Sequence, residues 1–439
     1  MDADPLTRPG TSTRRILVAG FGAPVCLTAL RSGLARAGVR TALVALSGVL
    51  LLLLCYLAAQ AGIIRLRSDF WYYYVAGRMV LAGLSPHDPD AWPARYLELT
   101  GTRSADQAFP YPPWTVLPAL PLALLDPAWA ATLWVAISLG TLGTGALLVL
   151  KDVPPARRPH ATGIGVVALA GFVPTVEALF FGQLSPLLTA ALLGACALAR
   201  SGHRTLAVVL LTVLLLKPQL SLVTLPVAFV HLIRHGECRA AAFLCLSCLG
   251  IMLLSAPWLS AWITHLGPAL QTNAADAGHT PTVYGLSVLL GRSTGAPVAV
   301  AAALALAVAA LGPVGASLRQ RHGGQEGLAE VLRIATPASL ALAPYLWTYD
   351  LSLLLACLLP ACRDLLARPG RHALGTAWAL ATGSTVLSWL LLVLAALHRR
   401  ETPSLILPFL FAAVAWMVVL RPGGELVATS KPNGVCTEA

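Results

Sequence analysis

After Asp126-Pro127 and before Lys151 the chain reads AWAATLWVAISLGTLGTGALLVL, residues 128–150, without one ionisable side chain. At about 1.5 Å of rise per residue, a helix of that length crosses the roughly 30 Å hydrocarbon layer of a bilayer. Leu, Ala and Val follow one another with no period-2 alternation, which excludes the strands of a transmembrane barrel.

The whole chain has the same character. Of its 439 residues 57% are hydrophobic and only 11% are charged, against about 25% charged in soluble domains. Mean hydropathy is +0.75. So little polar surface cannot cover a soluble globule of this length, and so little charge excludes a disordered chain. The reading is an all-α polytopic membrane protein. Apolar runs bounded by charge or Pro/Gly predict about twelve transmembrane helices. They lie near 41–63, 128–150, 161–181, 184–199, 205–216, 219–233, 240–256, 296–318, 331–344, 351–362, 372–397 and 404–420. The apolar stretch 112–125 is short and holds four prolines, and is read as re-entrant or interfacial.

The formal charge of +11 first suggests a nucleic-acid partner, but its distribution says otherwise. With the N-terminus cytoplasmic, 21 of the 30 Lys and Arg residues fall in cytoplasmic segments. That is the positive-inside pattern of a membrane protein, so the bilayer is the expected partner and no nucleic acid is. Three regions follow: an Arg-rich cytoplasmic or interfacial extension over 1–40, a membrane domain over 41–420 and a cytoplasmic tail over 421–439. Within the membrane domain two segments exceed short-loop length, about 64–127 and 257–295, and both are expected outside. Long loops in compact domains are commonly functional.

Ionisable residues at membrane depth or at its edge are costly and are therefore functional candidates. Asp69 precedes Phe70-Trp71-Tyr72-Tyr73-Tyr74, an aromatic cluster that fits an interfacial belt. It is either the partner of Arg65, Arg67 or Arg78, or a general base at the membrane surface. Lys217 interrupts an apolar hairpin before Pro218-Gln219. It either snorkels to the interface or binds a phosphate below the headgroups. Glu177 and Gln183 flank one outer turn, and Trp347 and Asp350 sit at another. They are read as solvated, aromatic-belted helix ends or as the lining of a glycan pocket. The second outer loop adds Asn273, Asp276, His279 and Tyr284. No H-x-x-H or H-E-x-x-H spacing occurs, so no metal is expected. Cys245-x-x-Cys248 lies inside an apolar run and is read as packing. There is no phosphate-binding glycine loop and no G-x-S-x-G, so no cofactor is implied.

Asp69-Phe70, Tyr73, Ala76-Gly77 and then Gly83-Leu84-Ser85-Pro86-His87-Asp88 resemble the first outer loop of glycosyltransferase family 87. Phe109-Pro110-Tyr111-Pro112-Pro113, Gly182-Gln183 and Lys217-Pro218 are similar to its further signatures. The resemblance runs over about 41–420. It implies a GT-C type membrane fold with its active site outside, and a polyprenyl-phosphate sugar, most often mannose, as donor. A glycolipid or lipoglycan would be the acceptor, and the transfer would proceed with inversion. It further implies Asp69 as general base, Lys217 with Arg78 on the donor phosphate, and Tyr73, Tyr111, Gln183, Gln219, Asn273, Trp347 and Asp350 around the substrates. His87 stands where the family more often has Tyr, Glu177 where it has a neutral residue, and the turn before Asp350 lacks the usual His. A transporter or flippase and a non-catalytic scaffold are the competing readings. The first predicts inverted repeats and several charges at mid-membrane, neither of which the sequence contains.

Overall fold

The computed structural model describes residues 48–66, 68–264, 276–319 and 327–420. The chain divides into two units, 1–54 and 55–439. Of the first, only 48–54 is described, as the start of helix α1 (Gly48–Ile64). The second unit contains helices and turns and no strand among its described residues. Its helices are α2 (Phe70–Leu81), α3 (Ala91–Thr100), α4 (Pro127–Leu150), α5 (Arg158–Val166), α6 (Val173–Phe180), α7 (Ser185–Arg200) and α8 (Arg204–Leu211). They continue with α9 (Thr224–Arg234), α10 (Cys238–Leu254), α11 (Ala256–Thr264), α12 (Val283–Thr294) and α13 (Ala296–Arg319). The last are α14 (Gly327–Ala341), α15 (Leu355–Ala367), α16 (Arg371–His398) and α17 (Ile406–Leu420).

Local sequence explains the breaks between them. Asp126 caps α4, its Oδ1 accepting from the Ala128 amide at 2.9 Å, with Pro127 in the first turn where its missing N–H is not needed. Phe172 is extended ahead of Pro174, so the helical stretch 155–171 and α6 meet at a 55° bend. At Lys217 the backbone leaves the helical region (φ −132°, ψ 77°), because a residue before proline is crowded out of α geometry.

The core runs along α7, α14 and α15. Every residue of α14 except Glu330 is buried, and from Leu355 to Leu366 only Asp364 is not. Arg333 on α14 reaches Asp364 on α15 at 2.8 Å. Pro337 and Pro360 lie inside these two helices. Membrane helices tolerate that where neighbours satisfy the freed backbone groups. The outward faces of α10, α13 and α16 are the reverse. Leu246, Leu249, Leu253, Val300, Leu304, Val308, Leu390, Val393 and Leu397 are each more than half exposed. In water such contiguous apolar faces drive association; in hydrocarbon they are the favoured surface.

Over their described residues, the twelve apolar runs fall mainly on helical structure. By length and composition, α4, α13 and α16 can each cross a bilayer alone. Counting the stretch 155–171 with α6, and α10 with α11, as bent spans gives five. The other apolar helices have 10–17 residues and are shorter than a straight crossing. Helix length therefore carries fewer spans than the twelve expected from hydropathy. Pro, Gly and 3₁₀ turns cut several runs short. The stretch 112–125 forms two 3₁₀ turns, Pro113–Ala119 and Leu122–Leu124. They pack on α2, where a Cβ on Gly77 would meet Ala123 Cβ at 2.8 Å. Among the described residues of the two long segments, 64–127 contains α2 and α3, and 257–295 contains most of α11 and all of α12.

Candidate active site

Asp69 occupies the N-cap position of α2, yet its side chain caps nothing. An aspartate there usually contributes about 0.5–2 kcal/mol by bonding the helix amides. Here that contribution is forgone, and the carboxylate turns to Gln183 and Tyr349 instead. Gln183 Nε2 donates to Asp69 Oδ2, and Tyr349 Oη donates to the same oxygen at 3.2 Å. The other end of the amide completes a bridge, because Gln183 Oε1 accepts from Lys217 Nζ at 2.9 Å. Lys217 also pairs with Asp350 Oδ1 at 2.8 Å, and Ser185 Oγ donates to that oxygen at 2.5 Å. One continuous network thus runs Asp69, Gln183, Lys217, Asp350, Ser185.

Three backbone irregularities hold it. Gly182 has φ +63°, which ends the turn after α6 and sends Gln183 inward. The break at Lys217 points its side chain into the bundle rather than along a helix face. The segment after Trp347 enters a 3₁₀ turn, and the Trp347 amide donates to Asp350 Oδ2 at 3.3 Å. Gln183, Lys217 and Asp350 are 0%, 2% and 2% exposed, so none is a solvated helix end and Lys217 does not snorkel. Asp69 is part-exposed. Burial pushes its carboxyl above the usual aspartate range, while Lys217 and the hydrogen bonds from Tyr349 and Gln183 pull it down.

Above the network lies a cavity of about 550 Å³. Asp69, Tyr111, Gln219, Trp347 and Tyr349 line it, together with Tyr72, Asp106, Trp262, Tyr284 and Tyr345. Lys217 sits one layer behind this wall, its Nζ 5.0 Å from the Tyr349 ring centre and 6.0 Å from that of Tyr111. Two of its three N–H groups go to Gln183 and Asp350.

Of the residues singled out from sequence, Asp69, Tyr111, Gln183, Lys217, Gln219, Trp347 and Asp350 converge here. Tyr73 is fully buried beneath them, stacked on Trp134 at 5.7 Å, with a long 3.5 Å contact from Oη to Gln183 Oε1. Arg78 is not part of the cluster. It lies nine residues beyond Asp69 along α2, roughly 13 Å at helical rise, and donates to the Ala123 carbonyl at 3.1 Å. Asn273 lies outside the described residues. The aromatic cluster after Asp69 is not an interfacial belt either. Phe70, Trp71, Tyr73 and Tyr74 are 0–3% exposed and form an internal layer with Trp134. Ser185 and Asp106 join the site without a sequence signal, and Tyr349 belongs to the aromatic turn before Asp350. Nothing local marks Ser185 or Asp106.

The turn that delivers Gln183 is testable. A Cβ on Gly182 would stand 2.7 Å from Phe70 Cβ and 2.8 Å from Ile63 Cδ1, whereas Gly83, also left-handed at φ +74°, has nothing within 4 Å. Gly83→Ala should cost on the order of 1–2 kcal/mol from backbone strain alone. Gly182→Ala should cost about 1–3 kcal/mol more from overpacking. Thermal unfolding of the purified variants in detergent checks this; equal shifts in midpoint would contradict it.

No curated protein matches the chain, and no solved structure does. The family model for glycosyltransferase family 87 matches residues 109–344, more than half of the chain. That region contains Tyr111, Gln183, Lys217 and Gln219, and it begins after Asp69. The chain belongs to glycosyltransferase family 87, a family of membrane glycosyltransferases.

Proposed function

We propose that this enzyme moves a hexose, mannose by its resemblance, from a polyprenyl phosphate to a hydroxyl of a glycolipid or lipoglycan, with inversion. The reaction takes place at the extracytoplasmic end of a twelve-span bundle in the cell membrane, with the N-terminus cytoplasmic. The 21 of 30 basic residues assigned to cytoplasmic segments support that orientation. The observation that carries the chemical reading is the Gln183 bridge, which holds one carboxylate on the cavity wall and one ammonium just behind it.

In this reading the acceptor hydroxyl gives its proton to Asp69 as its oxygen attacks the anomeric carbon. The bond from that carbon to the phosphate oxygen breaks on the opposite face, and its electron pair leaves with the phosphate. Tyr111 and Tyr349 face the departing group, and the positive charge of Lys217 behind them offsets the charge that develops there. A phosphate leaves with little acid assistance, so a single base suffices where a glycosidase needs two carboxyl groups. Gln219 and Trp347 contact the sugars from the cavity wall, and Tyr73 fixes Gln183 from below. Arg78 has no part in this scheme, because it is bonded to the backbone that packs on α2.

A lipid-linked donor fits a second feature. An apolar cavity of about 700 Å³ is lined by Leu117, Gly140, Gly145, Gly194, Leu215 and Leu216, and so ends at the residue before Lys217. Trp114 lines it as well. Its indole donates to the Leu215 carbonyl at 2.6 Å and lies against Trp262, a lining residue of the polar cavity. A prenyl chain lying there has its phosphate delivered beside Lys217.

Asp69→Asn should leave the protein folded and lower transfer from polyprenyl-phosphate mannose by about 10²–10⁴-fold. The base must be ionised, and burial raises its pKa. The wild-type rate should therefore rise with pH through a midpoint above the about 3.9 of a free aspartate. That limb should be missing from the residual activity of Asp69→Asn, and wild-type transfer by the variant would refute the base. Lys217→Met alone strands Asp350 as a buried unpaired charge and should cost about 3–5 kcal/mol of stability. Adding Asp350→Asn should restore the unfolding midpoint but not transfer. Recovery of both would reduce Lys217 to a structural role.

A further inference from the structure

Behind Trp347 a second cavity, of about 470 Å³, opens among Glu177, Asp276, His279, Arg399, Arg400 and Glu401. Its size falls within the about 300–1,000 Å³ of small-molecule sites. Trp347 lines this cavity and the one that contains Asp69, so one side chain forms a partition between them.

The walls are fixed by polar contacts among three outer segments. Glu401 Oε2 accepts from the Thr348 amide at 2.6 Å and from Thr348 Oγ1 at 2.8 Å. The Glu401 amide donates to the His279 carbonyl at 2.8 Å, and Thr402 Oγ1 donates to the Gly278 carbonyl at 2.9 Å. His279 Nδ1 lies 3.0 Å from the Arg399 carbonyl oxygen. Arg399 has φ +54°, and among the described residues no other side-chain-bearing position has a positive φ. Such backbone costs about 1–2 kcal/mol and persists where surrounding contacts over-determine it, commonly at sites.

While these contacts hold the frame, the groups that face the space are left over. The side chains of Glu177, Asp276, Arg399 and Arg400 make no hydrogen bond or ion pair with any described residue. Carboxylates that accept, guanidiniums that donate and an indole at the rim are together the complement of a sugar, which offers hydroxyls at its edge and C–H groups on its face. A purely anionic or purely cationic ligand would leave one half of this set opposed.

We infer that the second cavity is the acceptor subsite and holds the hydroxylated headgroup of the acceptor, so that one of its hydroxyls passes Trp347 to reach Asp69. The inference rests on the proposed transfer reaction for its direction, but the binding it asserts can be measured without turnover. Glu177→Gln keeps the shape and exchanges one half-buried carboxyl for an amide of the same size, so it should not weaken the fold. Arg400→Ala truncates an exposed side chain.

The test uses octyl α-mannoside as probe and full-length enzyme in nanodiscs, with Asp69→Asn as background so that nothing turns over. Saturable binding to Asp69→Asn, weakened about tenfold or more when Glu177→Gln or Arg400→Ala is added at an unchanged unfolding midpoint, is expected. Absence of saturable binding, or equal affinity in all three proteins, would overturn the subsite. On the otherwise wild-type background, the same two substitutions should raise KM for octyl α-mannoside and leave KM for the polyprenyl-phosphate donor alone. A change confined to donor KM would also overturn it. Failure of the transfer reading reads out separately, as wild-type turnover by Asp69→Asn.

Discussion

The buried ion pair between Lys217 and Asp350 is the constraint from which the rest of the site follows. Two charges at 2% exposure lose their hydration, and the pair repays that loss only with close geometry and further hydrogen bonds. Ser185 and the Trp347 amide serve Asp350, and Gln183 serves Lys217. The bond from Gln183 then carries the requirement on to Asp69. Three chain segments far apart in sequence must arrive in register for this to work. Each has a backbone irregularity that lets it do so: left-handed Gly182, the break before Pro218 and the 3₁₀ turn after Trp347.

Charge balance is consistent with the roles proposed within the network. Lys217 neutralises Asp350 at contact distance and acts on Asp69 through one intervening amide. The cluster holds two carboxylates against one ammonium, and the unpaired carboxylate is the one that lines the cavity. A group that is part-exposed, raised in pKa and freed from its expected capping duty is suited to exchange a proton with a bound hydroxyl. The apolar cavity is lined as far as Leu216 and the polar one from Pro218, so the break in the chain lies between their linings. The proposed lipid-linked donor would place its hydrocarbon on one side of that break and its phosphate on the other.

The all-helical class and the apolar outer faces were legible in composition and run length, and so were most of the clustered residues. Gly182-Gln183 and Lys217-Pro218 announced themselves because glycine and proline mark places where backbone departs from helix. Other features were not legible for physical reasons. A run of Phe, Trp and Tyr has the same spacing whether it meets headgroups or stacks internally, and only packing against Trp134 separates the two. Arg78 followed Asp69 closely enough to suggest partnership, but nine residues of helix carry it away. Hydropathy marks apolar runs without marking where they bend or end short, so helix length among the described residues accounts for up to five of the twelve expected spans. Ser185, Asp106 and the Glu401–Thr348 clamp arise from long-range convergence that no local pattern encodes.

The central claim is that Asp69 and Lys217 flank the reacting carbon, with the lipid phosphate on the Lys217 side. A cryo-electron microscopy structure of the enzyme with a bound polyprenyl phosphate tests it most directly. The account predicts the phosphate against Tyr111 and Tyr349 in front of Lys217, the prenyl chain in the apolar cavity, and room for one hexose between phosphate and Asp69. A phosphate held at Arg78, or at Arg399 and Arg400, with the Asp69 cavity unoccupied by lipid or headgroup, would contradict it.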